Sequence, residues 1–395
     1  MSFITNIRSV AKYESKILVR SWFFRIFTLL AVVFLGFFNF AMMLMEDNFG
    51  LWFAKSVSSN IPYLNLLLLN TGQAVVAVFL SSEFLKRDKK LDTSEVFYVR
   101  PLSNAEYVVG KIWGNLRVFL FLNLLVLAIV LAFNFMASGV AVDLPAYLVY
   151  FFLISIPTLI FIIGLSIFLM LLLKNQALTF ILLLGYIGLT LFYIQDKFYY
   201  LFDYMVYNLP LFKSTIVGFS NLELILNHRA IYFFAGLGFI FFTIFLFKRL
   251  PNARRSHYPW LFLSFCMFLL MGTAGFRHVR SILREGEMRA LYTSINNKYV
   301  YEPKMAIDYY DISVEQKSET IRSVVGMEGT ALAASEVFIF CLNPGLRVEE
   351  VKDGEKSLNF KREEQILAVD FGRKIEKGDT CLLYTSPSPR DPKTS

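Results

Sequence analysis

The stretch YLVYFFLISIPTLIFIIGLSIFLMLLL, residues 147–173, holds no charged side chain and only two residues that disturb a helix, Pro157 and Gly164. A bilayer core needs about 20 apolar residues per helix. In lipid every backbone amide must be satisfied internally, which a helix does and an isolated strand does not. The run therefore reads as a membrane span, closed by Lys174-Asn175-Gln176. Outward from it, the same criterion selects Trp22–Met45, Tyr63–Phe84 and Val118–Ala137 before it. After it come Ala177–Ile194, Ala230–Phe247 and Trp260–Phe276. Composition agrees: 56% of residues are hydrophobic and 18% charged, against about 25% charged in soluble domains.

The Lys/Arg bias of the short loops orients the spans. Lys86, Arg87, Lys89, Lys90, Arg100 and Lys111 follow the second span; Lys174 follows the fourth; Lys248, Arg249, Arg254 and Arg255 follow the sixth. The intervening loops are poor in positive charge, with Lys55 alone in 46–62 and none in 138–146. The pattern predicts a cytoplasmic N-terminus and accounts for the net charge of +8 through loop retention rather than nucleic-acid binding. The seventh span would carry the chain outside, although Arg277, His278, Arg280, Arg284 and Arg289 follow it.

Residues 1–21 read as an amphipathic helix on the cytoplasmic face, with Phe3, Ile7, Val10, Ile17 and Leu18 on one stripe and Arg8, Lys12, Lys16 and Arg20 elsewhere. The spans occupy 22–276 and a juxtamembrane linker 277–298. From about Tyr299 the composition turns strand-like: 306–314, 337–342, 346–351 and 366–371 alternate, with turn signals at Asn343-Pro344-Gly345 and Asp353-Gly354. The tail from Cys381, CLLYTSPSPRD, resembles a translated sequencing adapter, so residues 381–395 are set aside as an artefactual tail and 299–380 as a partial β-rich domain. The expected fold class is an α-helical polytopic membrane protein of six to seven transmembrane helices, followed by a partial β-sandwich-like extracytoplasmic domain.

Several chemistries find no motif. Gly110-Lys111, the one Gly-Lys pair, lacks the upstream glycine of a phosphate-cradling loop. The histidines His228, His257 and His278 form no H-E-x-x-H and read as loop or interfacial residues rather than ligands. Three cysteines make no disulfide framework, and the first apolar run is too long for a cleaved leader. The chain is expected not to be an enzyme, with no metal or cofactor of its own.

The informative aqueous segment follows the second span: EFLKRDKKLDTSEVFYVRPLSNAEYVVGK, residues 83–111. Ser103 can cap a helix, with Glu106 three residues on as a capping box. The segment reads either as a plain connector or as a rigid element that engages a cytoplasmic partner.

That pattern, with the N-terminal amphipathic helix and six-span layout, resembles the permeases of ABC-2 type transporters over roughly residues 1–250. The resemblance implies a bacterial inner-membrane location and a homo- or heterodimer of permeases. It also implies a separate ABC ATPase subunit that binds ATP and docks on a coupling loop, 85–117, to drive export of an unidentified substrate. The contact would fall on Arg87, Asp88, Thr93, Glu95, Pro101, Ser103, Glu106 and Lys111. Residues 306–314, 338–348 and 360–365 resemble the N-terminal β-domain of aminopeptidase N-type zinc peptidases. The alternative this implies is a membrane anchor for an aminopeptidase-like domain whose catalytic part is missing here.

Polar residues in the spans are the remaining candidates, because polarity in lipid is costly. Asn70 and Gln73 share a face of the second span. They read either as lining a substrate path or as helix-joining residues.

Overall fold

The computed structural model describes residues 3–44, 57–82, 102–136, 141–209, 211, 213–214, 218–219, 221–247, 258–317 and 320–389. Among these, seven helices are long and apolar enough to cross a membrane. An amphipathic helix, α1 (Phe3–Arg20), precedes them. The seven are α2 (Trp22–Leu44), α3 (Asn60–Ser82), α4 (Asn104–Met136), α5 (Leu144–Leu173), α6 (Gln176–Ile194), α7 (Leu222–Leu246) and α8 (Tyr258–Lys298). The chain divides into two compact units, Met1–Ser281 and Ile282–Ser395, the division falling within α8.

Three helices extend beyond their hydropathic spans. α4 begins at Asn104 rather than Val118, and α7 at Leu222 rather than Ala230. α8 continues through the expected linker 277–298. Hydropathy locates lipid contact, whereas helix continues wherever its polar residues find partners.

In the first unit, α1 lies on α4, and α5 crosses α7. At that crossing a Cβ on Gly164 would stand 2.6 Å from the carbonyl oxygen of Gly236, so only glycine permits the approach. α5 is not regular: Phe151–Ser155 forms a π turn just before Pro157. Proline lacks an N–H, so the carbonyl four residues earlier, on Leu153, loses its helical partner. Arg229 of α7 supplies the replacement, its Nε donating to the Leu153 oxygen at 2.6 Å.

The side of α1 turned to α4 carries Asn6, Ala11, Glu14, Ser15 and, from the apolar stripe, Leu18, while Phe3 is exposed. The polar residues are inward because α4 offers them partners.

The second unit is antiparallel throughout. After the first unit's short antiparallel pair, β1 (Lys213–Ser214) and β2 (Gly218–Phe219), the strands of the second unit are β3 (Met305–Lys317), β4 (Thr320–Ala331), β5 (Ser335–Cys341), β6 (Leu346–Asp353), β7 (Lys356–Ser357), β8 (Asn359–Glu363), β9 (Ile366–Ile375) and β10 (Thr380–Pro389). They form a five-stranded sheet of order β3-β4-β10-β6-β7 and a three-stranded sheet of order β5-β9-β8. All four alternating runs read from the sequence are strands, and Gly354 turns β6 into β7 at φ +61°. Side chains of both sheets meet in one core around Phe338, Val351, Val369, Phe371 and Leu383. The segment set aside as a tail is a strand from Thr380 to Pro389, paired with β4 and β6. Its alternation places Cys381 and Leu383 inward and Leu382 and Tyr384 outward.

Candidate functional site

The start of α4 is built as its sequence predicts. The Glu106 N–H donates to Ser103 Oγ at 3.1 Å, and the Ser103 N–H donates to Glu106 Oε2 at 2.6 Å, closing the capping box. The second carboxylate oxygen accepts from Asn6 Nδ2 of α1 at 2.9 Å. One turn on, Lys111 Nζ stands 3.6 Å from Glu14 Oε2, both side chains 5% exposed or less. The ammonium also lies 5.2 Å from the centre of the Tyr107 ring.

Two small residues make this contact close. A Cβ on Gly110 would meet Val10 Cβ at 2.7 Å, and one on Gly114 would meet Glu14 Cβ at 2.7 Å. Below them Ser15 Oγ donates to the Gly114 carbonyl at 2.7 Å, while Arg117 donates through Nε to Ser15 Oγ at 2.5 Å and through Nη2 to the Ala11 carbonyl at 2.8 Å. A third element joins at the top. Asn104 Nδ2 donates to the Phe247 carbonyl at 2.6 Å, at the end of α7, and Tyr107 stacks on the Phe247 ring at 5.5 Å. The first turns of α4 are thus bolted to α1 on one side and α7 on another.

Ser103, Glu106 and Lys111, expected as a partner-contacting set, are brought together here. Glu106 and Lys111 face α1 and are buried. Arg87, Asp88, Thr93, Glu95 and Pro101 lie outside the described residues. Sequence reasoning missed Asn6, Glu14, Ser15 and Arg117. The Gly110-x-x-x-Gly114 spacing, a signature of close helix packing, could have pointed to α1.

Asn70 and Gln73 fall in a separate, enclosed cluster. Asn70 Nδ2 donates to Asn123 Oδ1 at 3.0 Å, Asn123 Nδ2 to Gln73 Oε1 at 2.9 Å, and Ser155 Oγ to Asn123 Oδ1 at 2.8 Å. The cluster joins α3, α4 and α5. In this arrangement Asn70 and Gln73, 1% and 0% exposed, link helices.

A third cluster gathers at the opposite end of α7. Arg229 donates to the Leu153 and Tyr204 carbonyls and to Thr158 Oγ1. Asp203, fully buried in the segment joining α6 to α7, accepts from the Asn208 N–H at 3.0 Å. Burial pushes its carboxyl above the usual carboxylate range, opposed by the N–H groups of Asn208 and Tyr207 and by the Arg229 charge. His228 and His278 are not loop residues. Both are buried in helices, rings 5.0 Å apart, with Nε2 facing the carbonyls of Tyr200 and Tyr199. His257 lies outside the described residues. Among the described residues no group of three or more His, Cys, Asp and Glu could hold a metal ion.

Comparison with known proteins adds little. No family model matches the chain, and no curated protein matches it. One solved structure with partial similarity is a mutant M1 zinc metallopeptidase from Deinococcus radiodurans bound to a Tyr-Ser-Ala substrate. It is 17% identical over 22% of this chain and 22% of its own, with a TM-score of 0.20.

Proposed function

We propose that the chain is the membrane-spanning permease subunit of an ATP-driven transporter of the ABC-2 type, energised by a separate ATPase subunit. One observation carries the reading: the capped start of α4, directly after the segment 83–101, is tied to α1 through Glu106–Asn6 and to α7 through Asn104–Phe247. A docked motor that moved this segment would move three helices together, because packed cores shift as units rather than deform. The chain's own part is mechanical, and ATP chemistry belongs to the partner. In this reading the N-terminus is cytoplasmic, the permeases pair as homo- or heterodimers, and the β-rich unit stands outside the cytoplasm.

The test is co-purification of the full chain with a nucleotide-binding subunit, followed by ATPase measurements on the reconstituted complex. Pro101→Ala and Glu106→Gln are expected to lower stimulation of the ATPase by the permease. The proposal fails if no such subunit associates, or if both substitutions leave stimulation unchanged.

A further inference from the structure

α1 has three distinct sides. At about 100° per residue, its buried side faces α4 and includes Glu14, the helix's one carboxylate. Phe3, Val10, Tyr13 and Ile17 form an apolar side, with Phe3 48% and Tyr13 64% exposed. Arg8, Lys12, Lys16 and Arg20 recur every fourth residue, fill an arc of about 120°, and are all exposed. No acidic side chain shares that arc, and Trp22, 75% exposed, stands just past its end.

We infer that this arc is a binding surface for the phosphate headgroups of anionic phospholipids. The neighbouring apolar side would sit in the interfacial layer, where aromatic rings are at home. That placement holds the basic arc at headgroup level, with the long Arg and Lys stems reaching along the surface. Arg20 and Lys16 border the apolar side and face the phosphates directly, Lys12 and Arg8 lie farther round the helix, and the one carboxylate is turned into the protein, an arrangement that matches the negative potential of a cytoplasmic leaflet. The inference rests on the charge-derived cytoplasmic placement of α1 and does not depend on transport. Its consequence is mechanical: lipid on one side of α1 holds the helix whose other side grips Glu106 and Lys111.

The experiment places the full chain in phosphatidylcholine nanodiscs carrying a trace of spin-labelled phosphatidylglycerol or, in parallel, of spin-labelled phosphatidylcholine. Electron paramagnetic resonance reads the immobilised fraction of each label. The anionic label should be immobilised severalfold more at low salt, with the excess shrinking as salt rises. Replacing Arg8, Lys12, Lys16 and Arg20 together by Gln should remove most of the excess, whereas Arg8→Lys with Arg20→Lys should retain it. Equal immobilisation of the two labels, or an excess that survives the glutamine variant, overturns the inference. So does a glutamine variant that keeps lipid selectivity but loses a co-purifying protein, which would make the arc a protein-docking face.

Discussion

Arg229 Nε donates to the carbonyl of Leu153 at 2.6 Å, the acceptor that Pro157 leaves without a helical donor. A guanidinium is thus built into the backbone accounting of another helix. Arg229→Met strands that carbonyl and takes one donor each from those of Tyr204 and Ile154, and should destabilise the protein by about 3 kcal/mol. Pro157→Ala restores an N–H at that position, so in its background Arg229→Met should cost less. Thermal-unfolding midpoints of the two single variants and the double variant in detergent check this. Strict additivity would mean that the two residues do not share the carbonyl.

The buried pair Glu14–Lys111 makes a second cycle. Removing one member leaves a buried charge without this partner, at a cost of about 3–5 kcal/mol. Glu14→Leu alone and Lys111→Met alone should each destabilise strongly, while the double substitution should cost far less than their sum. Unfolding midpoints measure this, and cross-linking between cysteines placed on α1 and α4 shows whether α1 detaches in the single variants.

The interior of each membrane-length helix was legible in the sequence because apolar length is a local property. The ends were not: residues 104–117 read as a capped element separate from the span and 222–229 as loop, yet each continues a membrane-length helix and Glu106, Lys111 and Arg229 are buried against other elements. The capping box at Ser103 and Glu106 could be read because its partners lie within one turn. Its attachment to Asn6 could not, because the two residues lie 100 positions apart and no local pattern pairs them. Asn70 and Gln73 were correctly grouped on one face, but Asn123 and Ser155, which close their cluster, come from distant helices.

Asp203 predicts a pH dependence. Its folded-state pKa is raised, chiefly by burial, so across the window above its unfolded value of about 3.9 the folded form holds more protons than the unfolded form. The stability contributed by this group is therefore present at low pH and lost as pH rises through the folded-state value. Asp203→Asn can still accept from the Asn208 N–H but does not titrate. The stability of the wild type relative to this variant should fall as pH rises from about 4, and a difference that is flat or rises would contradict the assignment. Unfolding midpoints collected over pH provide the measurement.

Cys341 and Cys381 report on the last strand. Cys341 is exposed at the end of β5, whereas Cys381 is buried in β10 between β4 and β6. Burial also raises the Cys381 thiol's pKa, and Asp353 adds to the effect. Because the thiolate is the reactive form, maleimide should label Cys341 in the folded chain and Cys381 only after urea unfolding, as read by peptide mass mapping. Equal labelling rates in the folded chain would mean that 380–389 is not held in the sheet.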